Sequence, residues 1–370
     1  VKLNNGNSNW LEIDQQLIAK NAAKLIDWTG VRLMAVVKAN GYGHGIVDVV
    51  RVATAAGASY CGVARVEEAI ELRKAGIQDD ILVLGYTPDE RLRAAIERDI
   101  TVTMFLQDQV QPLGQAVQDT GKTARVHIKV DTGMSRLGAP VPQAYDLLQE
   151  LSGVPGVDVE GIFTHFARAD EPDDPTTAKQ ERTFMDLLAE AESAGLRPRI
   201  AHAANSAAAL TRPSTHLDMV RIGIALFGMS PSPAVKLLDG MRPALAWKAR
   251  LTHVETYPPN SGVSYGHHYR TAAAERIGVV PVGYGDGYRR EPGNRVLIHG
   301  QQVKVVGRVC MDQLMVNLDE LPQAQVGDEV VLIGQQGDEQ ISAEDLASRW
   351  GTFNYEVVCG LSARVPRMYS

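Results

Sequence analysis

The chain has 370 residues, 45% hydrophobic and 22% charged, with a formal net charge of −7. That length exceeds one ordinary compact domain and suits two. The acidic balance argues against a nucleic-acid binder, which shows a basic face or tail. Three cysteines, Cys61, Cys310 and Cys359, form no C-x-x-C pair. They argue against a zinc ribbon or disulfide framework and for a reducing compartment. No apolar run reaches the roughly 18 residues that a membrane helix needs. The polar, Asn-rich segment Val1–Trp10 has no signal-peptide core. A cytoplasmic protein with no membrane contact is expected.

In chain order, Trp10–Ile13 is a candidate strand that returns to a second domain. Eight apolar or β-branched runs then follow: Leu33–Val37, Ser59–Val63, Ile81–Leu84, Thr101–Met104, Arg125–Val130, Asp158–Phe163, Arg199–Ala203 and Leu217–Ile222. Amphipathic stretches such as Val66–Ala75, Arg91–Arg98 and Ala178–Ala194 separate them. Strands alternating with helices predict right-handed βαβ units and a parallel sheet. Eight units fit a closed barrel; an open doubly wound sheet is the alternative.

Ser230–Pro233 (SPSP) reads as a break. Beyond it come β-rich runs spaced by Gly and Pro: Ala246–Thr256, Ile277–Val282, Arg295–His299, Val303–Cys310 and Glu329–Ile333. Ala343–Arg349 is the main helical pattern there. The expected fold class is α/β, a (β/α)8 TIM barrel with a second, mostly β C-terminal domain. The barrel is expected over residues 12–230 and the β domain over residues 231–370, with residues 1–11 as a candidate addition to the latter.

Barrel chemistry collects at the C-terminal strand ends. Lys38 follows the first run, Lys129 and Asp131 lie in and after the fifth, and Arg136 comes next. His165 ends the sixth, Asn205 and Ser206 follow the seventh, and Arg221 and Gly223 belong to the eighth. A desolvated Lys38 has a lowered pKa and can form a Schiff base; the plain alternative is a rim lysine. Gly41–Gly45 reads G-x-G-x-G, not the G-x-G-x-x-G of a dinucleotide loop. Ser206 serves a phosphate site or a helix cap, and one residue can do both. An imine-forming lysine, a phosphate site and an arginine between them suggest pyridoxal 5'-phosphate.

Several motifs then carry a resemblance: Ala35–Gly45 (AVVKANGYGHG), Lys129–Gly138 (KVDTGMSRLG), Thr164–Ala167 (THFA), Ala204–Ser206 (ANS), Met219–Gly228 (MVRIGIALFG), Val263–Gly266 (VSYG), Val282–Gly287 (VGYGDG), Gly307–Asp312 (GRVCMD) and Asn354–Glu356 (NYE). Over essentially its whole length the chain resembles the alanine racemases. The resemblance implies a homodimer with shared active sites that interconverts L- and D-alanine and supplies D-alanine for peptidoglycan. Lys38 would hold the cofactor covalently and act as one base, with Tyr265 of the second subunit as the opposite base. Arg221 would face the pyridine nitrogen, with His165 near the ring and bonded to Arg221. Tyr42, Asn205, Ser206, Gly223, Ile224 and Tyr355 would hold the cofactor, mostly through its phosphate. Arg136, with Met311 of the partner subunit, would lie near the substrate carboxylate and Tyr284 at the entrance. In many relatives the lysine matching Lys129 is carbamylated; an unmodified lysine paired with Asp131 or another acid is the alternative.

Racemisation needs proton removal on one face of Cα and delivery on the other, which two opposed bases achieve. Departures from the family pattern are Ile222, where proline is usual, and Phe227, where tyrosine is common. Tyr355 favours alanine over serine by filling space. No metal is expected, because the adjacent His267 and His268 make a poor chelate. A serine or broad-specificity racemase is the nearest alternative. A non-catalytic pyridoxal-phosphate-binding protein is another, disfavoured by Tyr265 and Tyr355. A barrel decarboxylase is disfavoured because its glycine-triplet loop and cysteine motif are missing.

Overall fold

A computed structural model describes residues 6–370. The first five residues of the expected 1–11 segment lie outside the described residues. Contacts divide the chain into two compact units. One comprises residues 16–41 and 46–242; the other comprises residues 6–15, 42–45 and 243–370. Among the described residues no helix is long and apolar enough to cross a membrane.

The first unit holds β2 (Arg32–Val36), β3 (Tyr60–Val63), β4 (Ile81–Val83), β5 (Thr101–Met104), β6 (Ala124–Asp131), the two-residue β7 (Ala139–Pro140), β8 (Val157–Phe163), β9 (Ile200–His202) and β10 (Met219–Ile222). Eight of these run parallel in the order β10-β2-β3-β4-β5-β6-β8-β9, a nearly closed barrel. Each lies within two residues of an expected run. The signal was clear because parallel strands are buried on both faces and read as continuous apolar runs. β2 through β5 show this, being buried at every residue except Arg32. Helices between the strands bury one stripe each, such as Leu92, Ala95 and Ile96 of Asp89–Glu97.

The second unit begins with β1 (Asn9–Ile13) and resumes with β11 (Leu245–Arg250), β12 (His253–Tyr257), β13 (Gly262–Val263), β14 (Tyr269–Arg270) and β15 (Glu275–Val280). It continues with β16 (Arg295–Ile298), β17 (Gln301–Val306), β18 (Leu314–Asn317), β19 (Glu329–Gln336), β20 (Glu339–Ile341) and β21 (Arg367–Tyr369). Its main sheet runs β12-β15-β18-β17-β16-β19-β11-β1-β21. β1 pairs antiparallel with β11 and parallel with β21. Trp247, Tyr288 and Trp350 of this unit pack edge-on in a row, with ring centroids 5.8 and 5.5 Å apart.

Candidate active site

In the barrel unit, Lys38 sits two residues past the end of β2, the strand that pairs with β10, which carries Arg221. The chain does not continue into an ordinary helix there. Ala39, Asn40 and Gly41 all take left-handed conformations, with φ of 55°, 55° and 62°. Such residues cost roughly 1–2 kcal/mol each, less for Asn and nothing for Gly. The turn is held by Gly41 N–H on the Val37 carbonyl at 2.7 Å. Ala39 N–H donates to Glu68 Oε1 at 2.7 Å, and Ile46 N–H to Asn40 Oδ1 at 3.0 Å. The glycines of this segment therefore serve chain geometry: Gly43 and Gly45 also have positive φ.

Arg221 is 4% exposed, and its two terminal nitrogens are fully engaged. They donate to the carbonyls of Thr164 (2.7 Å), Ala203 (2.8 Å) and His202 (3.1 Å). They also donate to Nδ1 of His202 (3.1 Å) and of His165 (3.2 Å). Burial pulls its pKa down to about 9, so it remains a cation at neutral pH. Its Nε–H finds no acceptor among the described residues. His165 is held neutral, first by burial and then by Arg221.

Lys129 on β6 is 7% exposed, and its Nζ lies 4.4 Å from the Phe163 ring centroid. Burial, then Arg221, Arg136 and Lys38, push its pKa well below the usual lysine value. No ion pair to Asp131 forms. The Asp131 carboxylate instead accepts the backbone N–H groups of Gly133 and Met134 at 2.9 Å and of Ser135 at 3.0 Å. Those bonds fold the loop that carries Arg136. Asn205, not Ser206, caps the short helix that follows β9, its Oδ1 accepting Ala208 N–H at 3.0 Å. Ser206 Oγ accepts Gly223 N–H at 3.0 Å, tying the ends of β9 and β10 together. Ile224 is fully buried.

In the second unit, Tyr42 is buried and its ring lies 6.1 Å from that of Tyr355. Burial, then Tyr355, raises its pKa, so it is a hydroxyl donor and not a base. Tyr265 is 68% exposed, between Ser264 (φ 63°) and Gly266 (φ 75°). Ser264 Oγ donates to the Arg308 carbonyl at 2.6 Å. Tyr265 and Met311 line a concavity of about 600 Å³ with Gly266, Cys310 and Asp312. Tyr284 N–H donates to the Cys310 carbonyl at 3.0 Å and Gly285 N–H to the Met311 carbonyl at 2.9 Å. Arg364 fastens both loops through Asp286 (2.7 Å) and Asp312 (2.9 Å).

The sequence reading brought out neither the Arg364 clasp nor the buried His127, Glu160, His202 and Tyr60. The available signal for the latter was a polar residue inside an apolar strand run, as in Val126-His-Ile128.

The barrel rim fits pyridoxal phosphate on its donor set. Arg221, Arg136 and Lys38 all bear on Lys129, and Asp131, the carboxylate that acts on it, is committed to backbone N–H groups. Cations gathered in this way suit an anionic group. The Arg221 Nε–H awaits an acceptor of the kind that a pyridine nitrogen supplies. Fold and rim are those of the pyridoxal-phosphate barrel enzymes.

The profile of the alanine racemase N-terminal domain matches residues 13–231, and that of the C-terminal domain matches residues 244–369. An alanine racemase from Symbiobacterium thermophilum is 48% identical over 365 residues, covering 97% of this chain and 96% of that protein. A solved alanine racemase from Streptomyces lavendulae superposes with a TM-score of 0.93 at 41% identity, covering 98% and 97% of the two chains. A histidine racemase from Leuconostoc mesenteroides superposes with a TM-score of 0.91 at 30% identity, covering 99% of each. The chain belongs to the alanine racemase family, a family of pyridoxal-phosphate-dependent isomerases.

Proposed function

We propose that this chain interconverts L- and D-alanine as a cytoplasmic homodimer, supplying D-alanine for peptidoglycan. The observation that carries the reading is the clamp on Arg221: five acceptors fix a buried cation and leave one N–H uncommitted. Pyridoxal phosphate, when bound, withdraws electrons from the substrate and makes its Cα–H bond acidic. Lys38 holds the cofactor through its amine and then takes or returns the Cα proton on one face. Tyr265 of the partner subunit does the same on the other face. Arg221 donates a hydrogen bond to the ring nitrogen but keeps its proton, because its pKa of about 9 lies well above that of a pyridine. Electron withdrawal is thereby moderated, which favours rapid proton return over side reactions.

The remaining residues are assigned by family resemblance. Ser206, Gly223 and Ile224 of the barrel unit, with Asn205 behind them, and Tyr42 and Tyr355 of the second unit hold the phosphate. Arg136, with Met311 of the partner subunit, binds the substrate carboxylate. Tyr284 lines the entrance. Lys129 is carbamylated: burial and the neighbouring cations favour the neutral amine that reacts with CO2, Asp131 makes no ion pair with it, and the new negative charge restrains Arg136. The barrel unit is thus the cofactor-binding domain, and the β unit supplies the opposite base.

Racemisation of each alanine enantiomer, followed by circular dichroism, tests the reading alongside the visible absorbance of the bound cofactor. Lys38→Ala should lose that absorbance, and its persistence refutes the assignment of Lys38. Tyr265→Phe should be nearly inactive; full activity in both directions refutes the two-base scheme. The histidine racemase neighbour favours a second reading, a wider substrate range. If serine, lysine or histidine exceeds alanine in kcat/KM, that second reading replaces the first.

A further inference from the structure

Two histidines and a glutamate inside the barrel are not used by the proposed mechanism. His127 on β6 and His202 on β9 are completely buried, and Glu160 on β8 is 5% exposed. They form one continuous chain that begins at Arg221. Arg221 Nη1 lies 3.1 Å from His202 Nδ1. His202 Nε2 lies 2.8 Å from His127 Nδ1. His127 Nε2 lies 3.3 Å from Glu160 Oε2, which also accepts the Tyr60 hydroxyl at 2.5 Å. Arg199 closes the far end on Glu160 Oε1 at 2.9 Å.

The proton positions in this chain are determined. A guanidinium only donates, so His202 Nδ1 must be an acceptor and its proton must sit on Nε2. That N–H donates to His127 Nδ1, so the His127 proton must also sit on Nε2. It donates to Glu160, which only accepts when ionised. The surroundings hold these states. Burial keeps both histidines neutral. Burial opposes the Glu160 charge, but hydrogen bonds from His127 and Tyr60 prevail and bring its pKa to about 2. Phe163 stacks on the His202 ring at 4.6 Å, with 7° between the planes. Gly161 leaves room for the His127 ring, because a Cβ there would lie 2.5 Å from it.

We propose that Glu160 is a positioning residue for Arg221, acting through His127 and His202. By fixing both rings as Nε2–H tautomers it keeps His202 Nδ1 a permanent acceptor. The opposite tautomer would set an N–H against the Arg221 N–H at the same 3.1 Å and turn the guanidinium. The catalytic consequence rests on the proposed function, in which Arg221 meets the cofactor ring. The tautomers themselves do not.

The test uses full-length protein labelled with 15N-histidine and freed of cofactor. Long-range 1H–15N correlation reads each ring, assigned with single His→Gln variants. Wild type should show His127 and His202 as neutral Nε2–H tautomers; an Nδ1–H tautomer or an imidazolium at either ring at neutral pH overturns the chain. Tyr60→Phe should leave both unchanged. Glu160→Gln keeps an acceptor oxygen and should preserve both, whereas Glu160→Leu should let His202 populate its second tautomer. Tautomers unchanged in Glu160→Leu overturn the role of Glu160. With cofactor restored, Glu160→Leu should shift the cofactor absorbance and lower kcat about tenfold, the scale of one buried hydrogen bond, with alanine KM little changed. Glu160→Gln should restore both. An unshifted spectrum and kcat in Glu160→Leu overturn the positioning role. If wild type racemises no amino acid while both tautomers are as stated, the proposed function fails and the fixed geometry of Arg221 stands.

Discussion

At the scale of single residues, the barrel interior stores protonation states that the unfolded chain does not share. His127, His165 and His202 have depressed pKa values, caused first by burial. Folded, they stay neutral; unfolded, they take up protons below about 6.5. Their contribution to stability is complete above that pH and is lost as pH falls below it. The slope approaches roughly 1.4 kcal/mol per pH unit for each histidine. Calorimetry should show Tm falling between pH 7 and pH 5.5, and a flat profile there refutes the neutral assignment. Lys129 gives a second prediction. Native mass spectrometry should find the mass of one CO2 on the protein, lost on acidification and absent in Lys129→Arg. An unmodified wild-type mass refutes carbamylation. Of this network, the strand-end cations were legible in the sequence, because barrel geometry says where chemistry sits. His127 and Glu160 were not, since their meaning lies in contacts between strands distant in sequence.

At the scale of elements, the left-handed segment after β2 and the chain that follows it were the least legible part. Glycines at 41, 43 and 45 announced an irregular path, but Ala39 and Asn40 gave no sign of joining it. The eight barrel strands were legible because burial on both faces makes their runs mostly apolar, most plainly in β2 through β5. The β unit was harder. Ala246–Thr256 reads as one run but forms two strands, β11 and β12, and the short β18, β20 and β21 gave too few residues for an alternation to show. Two glycine substitutions separate backbone strain from lack of space. Gly30 has φ 66° and open space where a Cβ would stand, so Gly30→Ala should cost about 1 kcal/mol. Gly43 has φ 82°, and a Cβ would lie 2.1 Å from the Val358 carbonyl oxygen. Gly43→Ala should therefore cost more than about 2 kcal/mol. Urea denaturation measures both, and equal losses would refute the steric argument. The Arg364 clasp yields another prediction. Arg364→Lys keeps the charge but loses the fork that reaches Asp286 and Asp312. It should raise the alanine KM several-fold with less effect on kcat, because it loosens the loops that carry Tyr284 and Met311.

At the scale of the whole molecule, the second unit leaves large side chains in water. Tyr265 and Met311, which line one concavity, are 68% and 53% exposed. Exposed apolar groups gathered in this way mark an interaction surface, and a second copy of the chain is the occupant that the proposed function requires. Sedimentation should find a dimer whose specific activity falls on dilution below its dissociation constant; a fully active monomer refutes the shared site.

β1 adds a constraint of another kind, one of timing. It lies between β11 and β21, and Asn9 finds its partner in Ala249, about 240 residues further along. A ribosome adding roughly 5–20 residues per second takes more than about ten seconds to cover that distance. Through that interval Leu11 and Ile13, both fully buried in the finished fold, stay wet. The barrel's strands emerge in the order in which most of them pair, so that unit can assemble as it is made. The sheet of the second unit closes only after Arg367–Tyr369 has left the exit tunnel, so it is completed later than the barrel.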